Sequence, residues 1–298
     1  MCRFKSGIIL KNKCYMPNKD HHAGMLEELS IEDNYENAIR KFVRAELVPD
    51  NNEWWTSPDG WKFVVDQDEI PDWFADDRGK YEEQFRETVK AWWQEHVLID
   101  KKIDVLKNGE YRLKRCEVKR LLNDVTVMCD SSTVTEMYNN STVTEMYGSS
   151  AVSRMYNNST VTRMCDSSTV SVMYNNSTVT VMCGSSTVSR MYGNSAVSRM
   201  CDSSTVSRMC DSSTVSVMYG NSTVTRMYGS SAVSRMCGNS TVSVMYGNST
   251  VSVMCDSSTV SVMYDSSIAR DYANGIIHIS EDCNLEVVKR ENKEEAPC

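Results

Sequence analysis

Three kinds of side chain in this sequence are suited to chemistry: thiols, histidines near the N-terminus and the aspartates of a repeated segment. Cys2 becomes terminal if Met1 is removed, and an activated thiol can act as a nucleophile. Cys14, His21 and His22 carry zinc-ligand atoms, but they match neither CxxC nor HxxxH spacing. We therefore expect Cys2 to be a small buried residue that opens a strand, and we expect no metal site and no cofactor.

The aspartates belong to a tandem repeat that positions them. From position 128 to position 262 the chain consists of fifteen nonapeptides with the consensus M-(C/Y)-(D/N/G)-(S/N)-S-(T/A)-V-(S/T)-(V/R/E). Met, the fifth-position Ser and Val occur in every copy. Two degenerate copies precede the array in the same frame, which predicts Cys116 and Val125 at the Val position.

The second and ninth positions of the repeat show that the structural unit has eighteen residues. Counting the partial sixteenth copy, Cys fills the second position in six of eight odd copies and in one of eight even copies, where Tyr is the rule. The ninth-position residue matches in six of seven pairs of copies taken in phase, and in two of seven taken out of phase.

An eighteen-residue unit with this composition predicts a flat β-solenoid. Each nonapeptide holds a short segment rich in β-branched residues, which suit a strand, and a turn drawn from Gly, Asn, Asp and Ser. Coils stacked about 4.8 Å apart give about nine coils over roughly residues 119–280, a rod of roughly 40 Å. Val and Met should point inward, with a Tyr ladder along one edge and a Cys ladder along the other. A helix fails because nine residues is not a helical period, and disorder does not explain the invariant Val and Met.

The N-terminal region differs in kind, since all six Trp lie between positions 54 and 93. Segment 31–47 predicts a helix capped by Asp33 or Asn34, segment 61–67 a strand, and segment 68–74 a turn. Segment 77–98 predicts a helix whose apolar stripe contains Tyr81, Phe85, Val89, Trp92 or Trp93, and Val97.

The fold class that follows is a small α+β N-terminal domain and an all-β solenoid, a parallel β-helix or β-roll with two nine-residue strand–turn units per coil. We expect an α+β head or capping domain at 1–108, a basic neck of degenerate repeats at 109–127, the solenoid at 128–271, and a C-terminal cap with an acidic tail at 272–298.

The charge distribution restricts the class of partner. Basic and acidic residues number 13 and 21 over positions 1–100, 8 and 3 over 101–120, and 7 and 7 over 128–262. A neutral repeat array lacks the basic stripe of a nucleic-acid-binding protein, and it is not acidic enough to mimic DNA. No apolar run is long enough for a membrane span or a secretory signal. We therefore expect a cytoplasmic protein that contacts neither membrane nor nucleic acid.

Several motifs of the array resemble known repeat families. The T-V-T segments resemble the TxT array of β-solenoid antifreeze proteins, and YGNSTVT is similar to a phrase of bacterial ice-nucleation repeats; both resemblances imply ice binding. TxT occurs in five of fifteen copies, starting at Thr133, Thr142, Thr160, Thr178 and Thr223. The period and the aspartates resemble calcium-binding toxin nonapeptides, but the Gly pair is missing, so no calcium is expected.

The opening MCRFKSGIIL, the DWF segment and the repeats together resemble uncharacterised proteins of gut bacteria and their phages, a likeness that implies no activity.

Our leading hypothesis is a non-enzymatic binding or scaffold protein that uses an extended solenoid face for contact with a host protein or with itself as a homo-oligomer. The alternatives are a phage or mobile-element effector that inhibits a host defence or DNA-processing protein, an ice-binding protein, and an enzyme using Cys2. No catalytic residue is assigned. The candidate interaction face comprises Arg154, Arg163, Arg190, Arg199, Arg208, Arg226 and Arg235, and the aromatic ladder comprises Tyr138, Tyr156, Tyr174, Tyr192, Tyr228, Tyr246 and Tyr264.

Overall fold

The fold is that of a computed structural model, which describes residues 4–17, 21–271 and 276–277. The chain forms two compact units, which we call the head unit (Met1–Ile99) and the solenoid unit (Asp100–Cys298). Apart from Ile276–Ile277, the segment 272–298 expected to cap the solenoid lies outside the described residues, as does Cys2.

The head unit is an α+β fold built on a four-stranded antiparallel sheet of order β2-β1-β3-β4. Its strands are β1 (Lys5–Leu10), β2 (Lys13–Tyr15), β3 (Phe42–Val48) and β4 (Lys62–Val65), and a short strand β5 (Val97–Ile99) ends the unit. Its helices are α1 (His22–Glu28), α2 (Tyr35–Ala38), α3 (Asp72–Ala75) and α4 (Arg78–His96), with 3-10 turns at Asp50–Asn52 and Pro58–Gly60.

Both faces of this sheet are covered, because successive residues of a strand point to opposite faces. Ile9 of β1 belongs to the larger core cluster together with Phe85 of α4, whereas the adjacent Ile8 packs with Met25 and Leu26 of α1. The expected apolar stripe of α4 is confirmed: Tyr81, Phe85, Val89 and Trp92 are all buried. The sheet is thus held between α4 on one face and α1 on the other.

The prediction of one helix over 31–47 was wrong. Asn34 does cap a helix, since its side chain accepts a hydrogen bond from the Asn37 N–H at 2.9 Å. That helix ends at Ala38, however, and 42–48 forms strand β3 between β1 and β4. From Val43 onward buried and half-buried residues alternate, the period of a strand. Segment 68–74, expected to be a turn, contains the start of α3.

The solenoid unit is a regular succession of parallel strands, and it confirms the eighteen-residue coil. Each strand of the array pairs with the strand eighteen residues later, as in Val152↔Val170 and Val161↔Val179. The unit contains about ten coils. The strands are β6 (Lys102–Lys114), β7 (Glu117–Asp130), β8 (Thr133–Met137), β9 (Thr142–Tyr147), β10 (Ala151–Met155), β11 (Thr160–Met164), β12 (Thr169–Met173), β13 (Thr178–Met182), β14 (Thr187–Met191), β15 (Ala196–Met200), β16 (Thr205–Met209), β17 (Thr214–Met218), β18 (Thr223–Met227), β19 (Ala232–Met236), β20 (Thr241–Met245), β21 (Thr250–Met254), β22 (Thr259–Met263), β23 (Ile268–Asp271) and β24 (Ile276–Ile277).

The interior of each coil is made by the invariant residues of the repeat. The Val, the Met and the fifth-position Ser are fully buried in the coils from β10 to β22. Each buried Val or Met contributes roughly 1.5–3 kcal/mol relative to an exposed side chain. The eighth and ninth positions both face outward, as Ser198 and Arg199 do in β15. Each strand therefore departs from strict alternation, and it presents two adjacent outward side chains.

The turns explain why only Gly, Asn and Asp are used at the third position of the repeat. From Asn139 onward these residues have positive φ, for example +57° at Asp202, +57° at Asn175 and +66° at Gly229. The left-handed region is open to Gly and, among other residues, is most accessible to Asn and Asp. Substitutions among these three residues thus preserve the turn.

The expected alignment of the degenerate copies was wrong. Val118 pairs with Val134 and Val127 with Val143, so these residues occupy the Val position instead of Cys116 and Val125. The backbone N–H of Cys116 donates to Ser132 Oγ at 3.0 Å, which places Cys116 beside the Ser position. The reason is that the coil from Val118 to Val134 has sixteen residues. A sequence alignment with a constant period of nine assumes eighteen.

Candidate functional site

The outward surface of the solenoid unit has two faces, because alternate strands belong to opposite halves of each coil. We call the face with β8, β10, β12, β14, β16, β18, β20 and β22 the tyrosine face, because a Tyr column directly follows its strands. We call the face with β9, β11, β13, β15, β17, β19, β21 and β23 the cysteine face. The invariant inward Val and Met fix which residues each face presents to solvent.

The seven ladder tyrosines lie in one column, with aromatic rings stacked from coil to coil. Ring centroids are 4.9 Å apart for Tyr138–Tyr156, 5.1 Å for Tyr156–Tyr174 and 5.5 Å for Tyr174–Tyr192. A second run, formed by Tyr228, Tyr246 and Tyr264, stacks at 5.0 and 4.9 Å. The rings of both runs lie within 12° of parallel because the in-register coils impose the same orientation on each.

Cys210 interrupts the tyrosine column. It occupies the coil between Tyr192 and Tyr228, so the two stacked runs are separated by one missing ring. Two coil spacings of about 4.8 Å separate the flanking rings. Since stacked aromatic centroids lie about 4.5–7 Å apart, this gap is wide enough for one ring.

The seven arginines of the repeats divide between the two faces. Arg154, Arg190, Arg208 and Arg226 lie on the tyrosine face. Among these, Arg190 pairs in register with Arg208, and Arg208 with Arg226, on three successive coils. Arg208 lies over the ring of Tyr228, with its guanidinium carbon 5.5 Å from the centroid.

Arg190, Arg208 and Arg226, which we call the arginine run, differ in charge balance from Arg154, which lies earlier on the same face. There Arg154 Nη1 lies 3.2 Å from Glu136 Oε1, which neutralises it. In the part of the solenoid unit that the structure describes, no acidic side chain forms an ion pair with Arg190, Arg208 or Arg226. Three uncompensated positive charges therefore border the gap at Cys210.

The remaining arginines, Arg163, Arg199 and Arg235, lie on the cysteine face. They are separated there by valines, with Val181 between Arg163 and Arg199 and Val217 between Arg199 and Arg235. The order of the arginines along the chain suggests one ladder, but alternate copies face opposite ways.

The cysteine column follows the cysteine face and contains free, half-buried thiols. Cys165, Cys183 and Cys201 follow one another on successive coils, as do Cys237 and Cys255. Burial raises the pKa of Cys237 to about 11, with a further contribution from the adjacent Cys255. Burial likewise raises the pKa of Cys165 and Cys201. Neutral thiols of this kind are poor nucleophiles near neutral pH.

The repeat aspartates serve the turns. Asp166 Oδ2 accepts a hydrogen bond from the Gly148 N–H of the preceding coil at 2.9 Å, and Asp202 accepts one from Gly184 at 3.0 Å. Five such hydrogen bonds occur in the described part of the solenoid unit, each from a Gly N–H to the Asp at the same turn position of the next coil. This alternation keeps carboxylates apart that would otherwise stack at the coil spacing and repel one another.

Cys14, His21 and His22, the residues with zinc-ligand atoms in the N-terminal region, have different surroundings and different partners. His21 caps α1 by accepting a hydrogen bond from the Gly24 N–H at 3.0 Å. The Cys14 thiol is half-buried, and burial raises its pKa. His22 lies against Asp66, with 3.1 Å between Nδ1 and Oδ2, a pairing that sequence spacing did not indicate. Alternating polar residues in β3 and the acidic run after β4 were the only sequence signals for it.

Comparisons with protein-family models, with curated proteins and with solved structures find no match for this chain. None of the helices in the described part of the chain has the length and apolar character needed to cross a membrane.

Proposed function

We propose that this chain is a non-enzymatic binding or scaffold protein whose contact surface is the tyrosine face of the solenoid unit. The observation that carries the proposal is the gap at Cys210, with stacked rings on both sides and an unpaired arginine run beside it. Tyr and Arg are enriched in the buried centres of protein interfaces because they combine a large contact area with hydrogen-bonding groups.

The geometry favours a protein partner with an acidic surface that presents an aromatic side chain. An aromatic ring placed in the gap would stack on Tyr192 and would take the place of the Arg208 guanidinium over Tyr228. Carboxylates around it would pair with the guanidinium groups of Arg190 and Arg226, both of which are exposed. A second copy of this chain, with acidic residues in its head unit, is one candidate for such a partner.

The experiment is an affinity capture from bacterial lysate with the full chain as bait, followed by measurement of the affinity for the purified partner. In the test variant Arg190, Arg208 and Arg226 are each changed to Glu. In the matched control Arg163, Arg199 and Arg235 are changed in the same way, which gives the same net charge on the cysteine face. We expect the partner to be lost by the test variant and retained by the control.

A second variant tests the gap itself. Cys210→Tyr should complete the tyrosine column and exclude a partner ring, and so weaken binding without changing the charge. Cys183→Tyr makes the same substitution on the cysteine face and serves as its control. Equal binding by both triple variants, or undiminished binding by Cys210→Tyr, would contradict the proposal. Light scattering on the purified chain detects self-association separately.

Ice binding is the second candidate, and one observation favours it. On the cysteine face, the TxT segments beginning at Thr142, Thr160 and Thr178 lie on three successive coils in register. They form a small array of paired threonines, the pattern that the antifreeze resemblance requires. Thermal hysteresis of the purified chain tests it, with Thr162→Leu as the variant expected to abolish the effect.

A further inference from the structure

A mixed nitrogen and oxygen donor set lies in the head unit, apart from the proposed contact face. A ring nitrogen of His22, a carboxylate oxygen of Glu46 and a carboxylate oxygen of Asp66 all lie within 4.8 Å of one another. Three elements bring them together: α1 begins with His22, β3 carries Glu46, and Asp66 directly follows β4. Residues distant in sequence therefore converge beside strands β3 and β4.

The two strands hold the carboxylates in place. Glu46 and Val64 are register partners across the antiparallel pair β3–β4. The Asp66 backbone N–H donates to the Arg44 carbonyl at 2.9 Å, which extends the pairing to Asp66. The backbone on both sides of the donor set is thus fixed by hydrogen bonds, while the Asp66 side chain, 59% exposed, can adjust.

The hydrogen bonds of His22 are the second, independent observation. Its side chain is only 9% exposed, and Nε2 lies 3.3 Å from the Ala45 carbonyl oxygen. A carbonyl oxygen can only accept, so Nε2 carries a proton, and Nδ1 is the ring nitrogen that faces Asp66. A histidine whose other ring nitrogen donates to a backbone carbonyl is the usual arrangement at a protein metal site.

His22 Nδ1 and Asp66 Oδ2 lie close enough to share a proton or a metal ion. Nδ1 is 3.1 Å from Asp66 Oδ2, and two lone pairs at this distance repel each other unless a positive charge lies between them. A proton on Nδ1 is one solution, and a metal ion is the other.

We propose that His22, Glu46 and Asp66 bind a first-row divalent cation. Imidazole nitrogen and carboxylate oxygen are ligands for such ions, with bonds of about 2.0–2.2 Å. Asp66 also lines a cleft of about 760 Å³, so the ion would keep coordination positions open to solvent. Three protein ligands with an open position are typical of sites where a metal binds water or a small ligand.

Mn²⁺ is the probe, because the many thiols of this chain bind softer ions such as Zn²⁺ on their own account. The full chain is freed of metal with a chelator, and free Mn²⁺ is then followed by electron paramagnetic resonance during a titration. We expect one saturable site per chain, and we expect an equal concentration of Mg²⁺ to leave the Mn²⁺ bound because imidazole favours the transition metal.

The variants separate this site from general attraction by an acidic cleft. Asp66→Asn removes one ligand at an exposed position and should weaken Mn²⁺ binding about tenfold or more. Asp68→Asn, in the same cleft and with the same charge change, should weaken it by no more than about threefold. Bound Mn²⁺ should also raise the unfolding temperature of the wild-type chain, and this shift should be smaller in Asp66→Asn.

Three results would overturn the proposal: no saturable binding at millimolar Mn²⁺, equal loss of affinity in the two variants, or complete displacement of Mn²⁺ by equimolar Mg²⁺. Tryptophan fluorescence verifies that each variant is folded, since all six Trp lie in the head unit.

Discussion

The head unit and the solenoid unit bury their apolar residues in opposite ways. The head core contains Trp54, Trp61, Phe74 and Phe85, and each of these side chains has a different set of neighbours. The solenoid core repeats the same Val and Met at every coil, so each residue packs against copies of itself. Consequently the stability of the head depends on individual side chains, whereas the stability of the solenoid depends on the same Val and Met contacts repeated in every coil.

The largest effect is expected from removing one aromatic residue of the head. Phe85 is fully buried between α4 and the sheet, with its ring 5.9 Å from that of Phe63. Phe85→Ala should lower the free energy of unfolding of the head by about 3–5 kcal/mol. Urea titration followed by tryptophan fluorescence reports on the head alone, because the solenoid unit contains no Trp.

Val197→Ala supplies the counterpart in the solenoid unit. It removes two methyl groups from one buried position among many equal ones, and should cost about 2 kcal/mol or less. The lower stability of the solenoid unit should appear in unfolding followed by the circular dichroism of the strands. Unfolding followed by tryptophan fluorescence should not change. If both variants shifted both signals equally, the contrast between the units would be refuted.

The turns of the solenoid should be the most sensitive part of its surface. Gly229 has φ +66°, and a Cβ built there would lie 3.1 Å from the Asp211 carbonyl oxygen. Gly229→Val should therefore destabilise the chain by about 1–3 kcal/mol, since the backbone is strained for a β-branched residue. Gly229→Asn is the control, because Asn tolerates this conformation, and thermal unfolding should separate the two.

A glycine of the head should respond in the opposite direction. Gly79 lies in the first turn of α4, and a Cβ there would meet no atom within 4 Å. Gly79→Ala should stabilise the chain by about 0.5–1 kcal/mol, because Ala loses less backbone entropy in a helix. A fall in the urea midpoint of the fluorescence transition would contradict this expectation.

A small effect is also expected from deleting a whole coil, 200–217. The strands on either side remain in register, and the deletion removes Cys210, so that Tyr192 and Tyr228 become neighbours. Stability should change by about 1.5 kcal/mol or less, with the added ring contact as the favourable part. Thermal unfolding measures it.

Deleting nine residues, 200–208, is the control for the eighteen-residue unit. It should move Tyr228, Tyr246 and Tyr264 to the opposite face, because alternate copies face opposite ways. Partner binding on the tyrosine face should then fail in the nine-residue deletion. Equal behaviour of the two deletions would show that nine residues suffice as the unit.

The sequence by itself determined the solenoid, because the repeated residues of the array are also the residues that make its tertiary contacts. Invariant Val and Met gave the inward residues, and the Cys/Tyr alternation gave the coil length and the two edges. It also indicated α4, whose buried stripe from Tyr81 to Trp92 keeps a regular spacing over about three turns. It failed at 42–48, where the sheet partners β1 and β4 outweigh local helical preference, and at Cys116, where one coil is two residues shorter.

Only the tertiary structure decided which residues share a site. The arginines form one series in sequence, but coil geometry divides them between two faces and leaves three in an unbroken run beside the gap at Cys210. His22, Glu46 and Asp66 show no spacing motif, because strand pairing and the packing of α1 bring them together. Periodicity encodes contacts between equivalent positions, whereas contacts between unlike segments depend on packing that no local pattern records.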